Sequence, residues 1–120
     1  MYKLAMLKVA VSNLNQSVQF YQEALGFELV FVAEEYGWAQ LKSGDIDFAL
    51  YVPGLGGGEK QLGGSTDFHL MLDESKFEVL SKQLLASGHL SENMIHTGND
   101  GTTFIDVLDP DHNIIKMFRH

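Results

Sequence analysis

The chain has 120 residues, 45% of them hydrophobic, which suits one folded domain with a sizeable core and excludes disorder. Eight Lys and Arg stand against sixteen Asp and Glu, and the formal net charge of −8 excludes the basic surface that a nucleic-acid binder needs. There is no cysteine, hence no disulfide, thiolate metal site or cysteine nucleophile, and no apolar run approaches the roughly 20 residues of a membrane helix.

The N-terminus enters a strand-like pattern at once, without a signal peptide, so a cytoplasmic protein with no membrane and no nucleic-acid partner is expected. Residues 4–11 alternate, with Leu7, Val9 and Val11 on one face and Met6, Lys8 and Ala10 on the other. Asn13 and Gln16 have capping-box spacing, and Leu14, Val18, Tyr21 and Leu25 then recur at helical spacing. Gly26 predicts a left-handed stop. Residues 27–33, 38–42 and 46–52 predict three strands with turns at 34–37 and 43–45. In the last of them Phe48, Leu50 and Val52 face one way, and Asp47, Ala49 and Tyr51 the other. Residues 53–65 hold six glycines. Gly58-Glu-Lys60 lacks the Gly-Lys-Ser/Thr ending of a phosphate-binding loop, so this stretch reads as a mobile link.

The second half repeats the order of the first. Residues 66–72 alternate, with Phe68, Leu70 and Leu72 opposite Asp67, His69 and Met71. Ser75 and Glu78 suggest a second capping box; Phe77, Leu80 and Leu84 share a helical face, and Gly88 stops the helix. Strands follow at 90–97, 102–108 and 113–119, with turns at Asn99-Asp-Gly101 and at 109–112. The strands of the two halves align at an offset of about 61 residues. The expected fold is α+β, one domain spanning 1–120 and made of two βαβββ modules, about 1–52 and 66–119, joined by the Gly-rich loop 53–65.

Val11-Ser-Asn-Leu14 with Ser17-Val-Gln-Phe-Tyr21, then Leu25-Gly26-Phe27 and Asp109-Pro-Asp-His-Asn113, resemble the vicinal oxygen chelate superfamily. That superfamily holds glyoxalase I, extradiol dioxygenases, fosfomycin-resistance enzymes and bleomycin-resistance proteins. The resemblance covers nearly the whole chain, although the family usually has Gly where His112 stands. It implies paired modules whose sheets curl around a cavity, and a homodimer. It also implies metal ligands at four strand positions, which carry over to Met6, Ala49, Asp67 (or Thr66, if the alignment slips by one) and Lys116. Divalent metals want imidazole nitrogen or carboxylate oxygen, and of these four only Asp67 supplies it. No metal and no cofactor are therefore expected at the family positions.

The candidate ligand-binding residues are Lys8, Trp38, Asp47, Tyr51, Asp67, His69 and Lys116. Asp67 and Lys116 can hold a ligand's amine and acid, or pair with each other; Lys8 and Asp47 offer a second pair on the same faces. Tyr36, Trp38 and Tyr51 can stack on a planar or cationic ligand, or simply pack. His69 reads as a cavity-lining histidine, with a displaced metal ligand or a general base as the alternatives. His89, His96, His112 and His120 fit no ligand spacing and read as surface residues. Ser17 and Ser75 have no base nearby, so no serine triad is expected. The expected function is metal-independent binding of a small cationic or aromatic molecule, as in the antibiotic-sequestering branch of the family. The alternative is a glyoxalase-like lyase or dioxygenase with a rebuilt site; a third reading is an interaction module with a vestigial cavity.

Overall fold

Alternation builds the strands of this protein and side-chain caps start its helices, in a computed structural model that describes residues 1, 3–59, 62 and 68–119, Phe68 by its backbone alone. The chain divides into two units, Met1–Thr66 with Pro110–Asn113, and Asp67–Asp109 with Ile114–His120. Asp67, Thr66 and His120 lie outside the described residues, as does much of the second half of the Gly-rich stretch.

In the first unit β1 (Leu7–Ala10), β2 (Glu28–Ala33), β3 (Trp38–Ser43) and β4 (Ile46–Tyr51) form one sheet in the order β1-β4-β3-β2, with β1 parallel to β4 and the other pairs antiparallel. The helix α1 (Leu14–Gln19) continues into a π-helical turn at Phe20–Ala24. Asn13 caps it by accepting from the Gln16 amide at 3.0 Å. Gly26, at φ 78°, supplies the expected left-handed stop. Val9, Val11, Leu14, Val18, Leu41 and Leu50 are buried in the core. Tyr21, Phe27 and Phe48 meet there with ring centroids 5.1–5.7 Å apart. Ala49 and Tyr51, which alternate away from Phe48 and Leu50, are buried as well, so β4 is covered on both faces.

The second unit repeats the plan. Its strands β5 (Phe68–Leu72), β6 (Ile95–Thr97), β7 (Thr103–Leu108) and β8 (Ile114–Arg119) take the order β5-β8-β7-β6, again with the first and last in parallel. Phe77 and Leu84 of α2 (Glu74–Ser87) are buried, as are Ile105, Val107, Ile115 and Met117 of β7 and β8. Each half is thus strand, helix and three strands, and the fold is α+β.

Three local expectations change. The cap of α2 is Asp73, whose carboxylate accepts from the Lys76 amide at 2.9 Å, and the Ser75 hydroxyl donates to that same carboxylate. An ionised acceptor outcompetes a hydroxyl for the first free amides, so the helix starts two residues earlier than a Ser75 cap would allow. The strand expected at 90–97 shrinks to β6, because Ser91 accepts from the Met94 amide and its hydroxyl bonds Asn93, winding Glu92–Met94 into a 3₁₀ turn. In the lattice of strand partners Trp38 and Tyr51 correspond to Phe104 and Phe118, so the 61-residue offset holds only near the first strand and the helix. At the turn before β7, the hydroxyl and amide of Thr102 hold the exposed Asp100 carboxyl below the usual carboxylate range.

The Pro110–Asn113 turn belongs to the first unit. The buried Asn113 amide donates to the Ala10 carbonyl at 3.1 Å, and the Asp111 carboxylate accepts from the Ser12 amide at 2.8 Å. His112 sits between them at φ 65°, a left-handed conformation that costs a side chain free energy. Two neighbouring substitutions should therefore have opposite signs in urea unfolding. Asn113→Ala strips a buried carbonyl of its donor and should cost about 1–3 kcal/mol. His112→Gly relieves the strained backbone and should gain up to about 1 kcal/mol, less the entropy that glycine adds to the unfolded chain.

Candidate functional site

The face of the second sheet turned away from its apolar core carries polar and aromatic side chains in register. Antiparallel pairing sets His96 opposite Phe104, Phe104 opposite Phe118, and Asp106 opposite Lys116; parallel pairing sets His69 beside Lys116. Four rings consequently form a row across all four strands of this sheet. Centroids lie 5.0 Å apart for His96 and Phe104, 5.3 Å for Phe104 and Phe118, and 5.2 Å for Phe118 and His69. Interplanar angles of 32–51° make these tilted contacts rather than flat stacks. Such pairs contribute about 0.5–1.5 kcal/mol each beyond area burial.

Beside the row runs an ionic cluster. Lys116 Nζ lies 2.8 Å from Asp106 Oδ1 and 4.3 Å from the centroid of Phe104. His96 Nε2 lies 3.1 Å from Asp106 Oδ2, so one carboxylate bridges two nitrogen groups. Lys116 is thus matched by Asp106, its cross-strand neighbour; the pairing with Asp67 expected from sequence falls outside the described residues. Directly opposed residues on adjacent strands lie about 4.5–5.5 Å apart at Cβ, the natural reach for such a pair. His96, expected to be a free surface residue, is instead half-buried and part of this cluster. His69 is exposed and touches Phe118, without a hydrogen-bond partner among the described residues.

The corresponding face of the first sheet holds Lys8, Trp38 and Tyr51 together. Lys8 Nζ donates to the Gly57 carbonyl at 2.6 Å and stands 5.2 Å from the Tyr51 ring and 6.0 Å from the Trp38 ring. The pairing of Lys8 with Asp47 does not form; Asp47 is exposed, opposite Lys42 on β3. A loop carbonyl reaches the ammonium because glycine lets the backbone approach so closely. A Cβ on Gly57 would lie 2.9 Å from Tyr51 Cβ and 3.0 Å from Trp38 Cε3, and one on Gly58 would lie 2.7 Å from Tyr51 Cε2. These glycines therefore serve contact with the aromatic pair, not only flexibility. Tyr36, grouped with the same aromatics in the sequence reading, is 60% exposed in the turn before β3.

The positions the family uses for metal ligands do not suit a divalent cation here. Met6 offers a half-buried thioether, Ala49 no donor, and Lys116 an ammonium already bound to Asp106; Asp67 lies outside the described residues. Among the described residues no three His, Asp or Glu side chains converge as a ligand set. Phe104, Phe118, Asp106 and His96 were not singled out from sequence. Counting back from the turn at 109–113 would have found the first three, since Leu108 opposite Ile114 puts Asp106 opposite Lys116 and Phe104 opposite Phe118.

Gly58→Ala should push the loop backbone off Tyr51, whose ring is buried and has little room to yield. An overpacking cost of about 1–3 kcal/mol is expected in thermal or urea unfolding. A melting curve unchanged from the parent protein would show that the loop does not hold this contact.

Residues 3–117 match the model of the Glyoxalase/Bleomycin resistance protein/Dioxygenase superfamily. The uncharacterized protein YraH of Bacillus subtilis (strain 168) is 25% identical, with 98% of each chain covered. A lactoylglutathione lyase from Agrobacterium tumefaciens superposes with a TM-score of 0.79 at 15% identity, covering 99% of this chain and 95% of that one. A virulence protein from Salmonella typhimurium superposes with a TM-score of 0.75 at 23% identity, covering 100% and 98%. At these identities the structural likeness is one of fold. No helix among the described residues is long and apolar enough to cross a membrane. From the family match over nearly the whole chain, and from the twice-repeated strand–helix–three-strand plan, the chain belongs to the Glyoxalase/Bleomycin resistance protein/Dioxygenase superfamily.

Proposed function

We propose that this protein binds a small planar aromatic molecule and releases it unchanged, after the manner of the bleomycin-resistance branch of its superfamily. The row of His96, Phe104, Phe118 and His69 carries the reading. Sequestration asks for apolar surface with a few polar groups to orient the guest, and this face carries two phenyl rings beside Lys116, Asp106 and two histidines. Two or three stacking contacts plus burial of one ligand face support affinities in the micromolar range, about −7 to −8 kcal/mol. The assembly that goes with this reading is a homodimer. The edge strand β2 exposes Val30, Phe31 and Val32, apolar surface that a second copy would cover.

One observation favours a second reading. His69 is an exposed imidazole without a hydrogen-bond partner among the described residues, and it stands two residues from Asp67. A general base in a lyase with a rebuilt site would look the same.

A thermal-shift screen separates the two. Planar aromatic compounds should raise the melting temperature, the rise growing with the logarithm of ligand concentration above Kd, and Phe118→Ala should abolish it. A rise with zinc, nickel or manganese instead, lost in Asp67→Ala and accompanied by turnover, would replace sequestration by the enzyme.

A further inference from the structure

Resting on the proposed aromatic capture, we infer that the guest of the second sheet is a planar aromatic acid and not a cation. The overall charge of −8 attracts cations at long range, but contact is decided by groups within a Debye length, about 10 Å at 0.1 M salt. The described carboxylate within this cluster is that of Asp106, and both its oxygens are engaged, one by Lys116 and the other by His96. A cationic guest would have to displace one of these partners. The cation-π position over Phe104 is likewise filled, by Lys116 Nζ at 4.3 Å. An incoming ammonium would meet a like charge there.

The donors are in the opposite condition. An ammonium carries three N–H bonds, and Asp106 takes one from Lys116. The Lys116 side chain retains 24% of its exposure, so a further acceptor can reach it. His96 keeps 37% of its side-chain exposure, and His69 is exposed with its ring nitrogens unengaged among the described residues. An aromatic carboxylate whose ring lies along Phe118 and Phe104 therefore reaches Lys116 from the edge of the ring row. His69 and His96 stand at the two ends of that row, each able to donate a ring N–H to the carboxylate as a second hydrogen bond.

The test compares three probes of one shape by isothermal titration at 0.15 M salt: 2-naphthoate, 2-naphthylmethanol and 2-naphthylmethylammonium. Naphthoate should bind at least 10-fold more tightly than the ammonium compound, with the alcohol between them. Asp106→Asn frees Lys116 and should tighten naphthoate several-fold while weakening the ammonium compound further. Lys116→Met should abolish the preference and Lys116→Arg should keep it, with a melting curve for each variant to verify folding. An ammonium compound that binds as tightly as naphthoate, or an Asp106→Asn protein that loses naphthoate affinity while folded, would overturn the assignment. Equal binding of all three probes that vanishes in Phe118→Leu refutes the acid but leaves aromatic capture standing. No binding of any probe at millimolar concentration refutes both. Should the variants fail to fold, the ranking of the three probes on the parent protein decides the matter alone.

Discussion

The register of β7 against β8 governs almost everything of chemical interest in the second unit. It descends from one tight turn, whose residues Pro110–Asn113 are anchored by a buried side-chain amide on the Ala10 carbonyl and a carboxylate on the Ser12 amide. Because the side-chain period of a strand is two, a slip of β8 by one residue would turn Lys116 and Phe118 into the core and bring Ile115 and Met117 to the outer face. An ammonium and a ring cannot exchange places with two buried apolar side chains at any tolerable cost, the more so as Asp106 would lose its partner. Hydrophobic burial on one face and ionic pairing on the other thus enforce the same register.

Within that frame the two sheets use equivalent lattice positions differently. Trp38 and Tyr51 occupy in the first sheet the places of Phe104 and Phe118 in the second, and Ala49 the place of Lys116. Each sheet brings an ammonium to its aromatic pair, Lys8 from the first strand and Lys116 from the last. The counter-charge differs: a backbone carbonyl serves Lys8, a carboxylate serves Lys116. At the last of the positions where the family resemblance implies a metal ligand stands a lysine, and under the proposed function it faces an organic guest. A tethered cation repels a free one and recruits an anion.

Strands, helices and their stops were legible because they follow from local rules: alternation, capping spacing, and glycine where φ must be positive, as at Gly26 and Gly88. The start of α2 was misread because two caps competed, and a carboxylate at Asp73 wins over a hydroxyl at Ser75. The site was half legible. Lys8, Trp38 and Tyr51 converge as their alternation implies, and so do His69 and Lys116. Asp106 escaped notice and His96 read as a surface residue because a pairing partner depends on strand order, and strand order is not written in periodicity. Gly57 and Gly58 escaped for a different reason. A glycine-rich stretch looks the same whether its glycines serve freedom or close approach.

That last ambiguity has a consequence for the economy of the duplicated fold. In the first sheet the chain lays its own peptide backbone against Tyr51 and Trp38 and locks it with Lys8, so this aromatic pair is already served from within. In the second sheet Phe104 and Phe118 meet each other and the two histidines, with the Lys116 side chain over Phe104, and no loop backbone is seen against them among the described residues. Under the proposed function the two sheets thus differ in use, the first occupied by its own backbone and the second taking the guest.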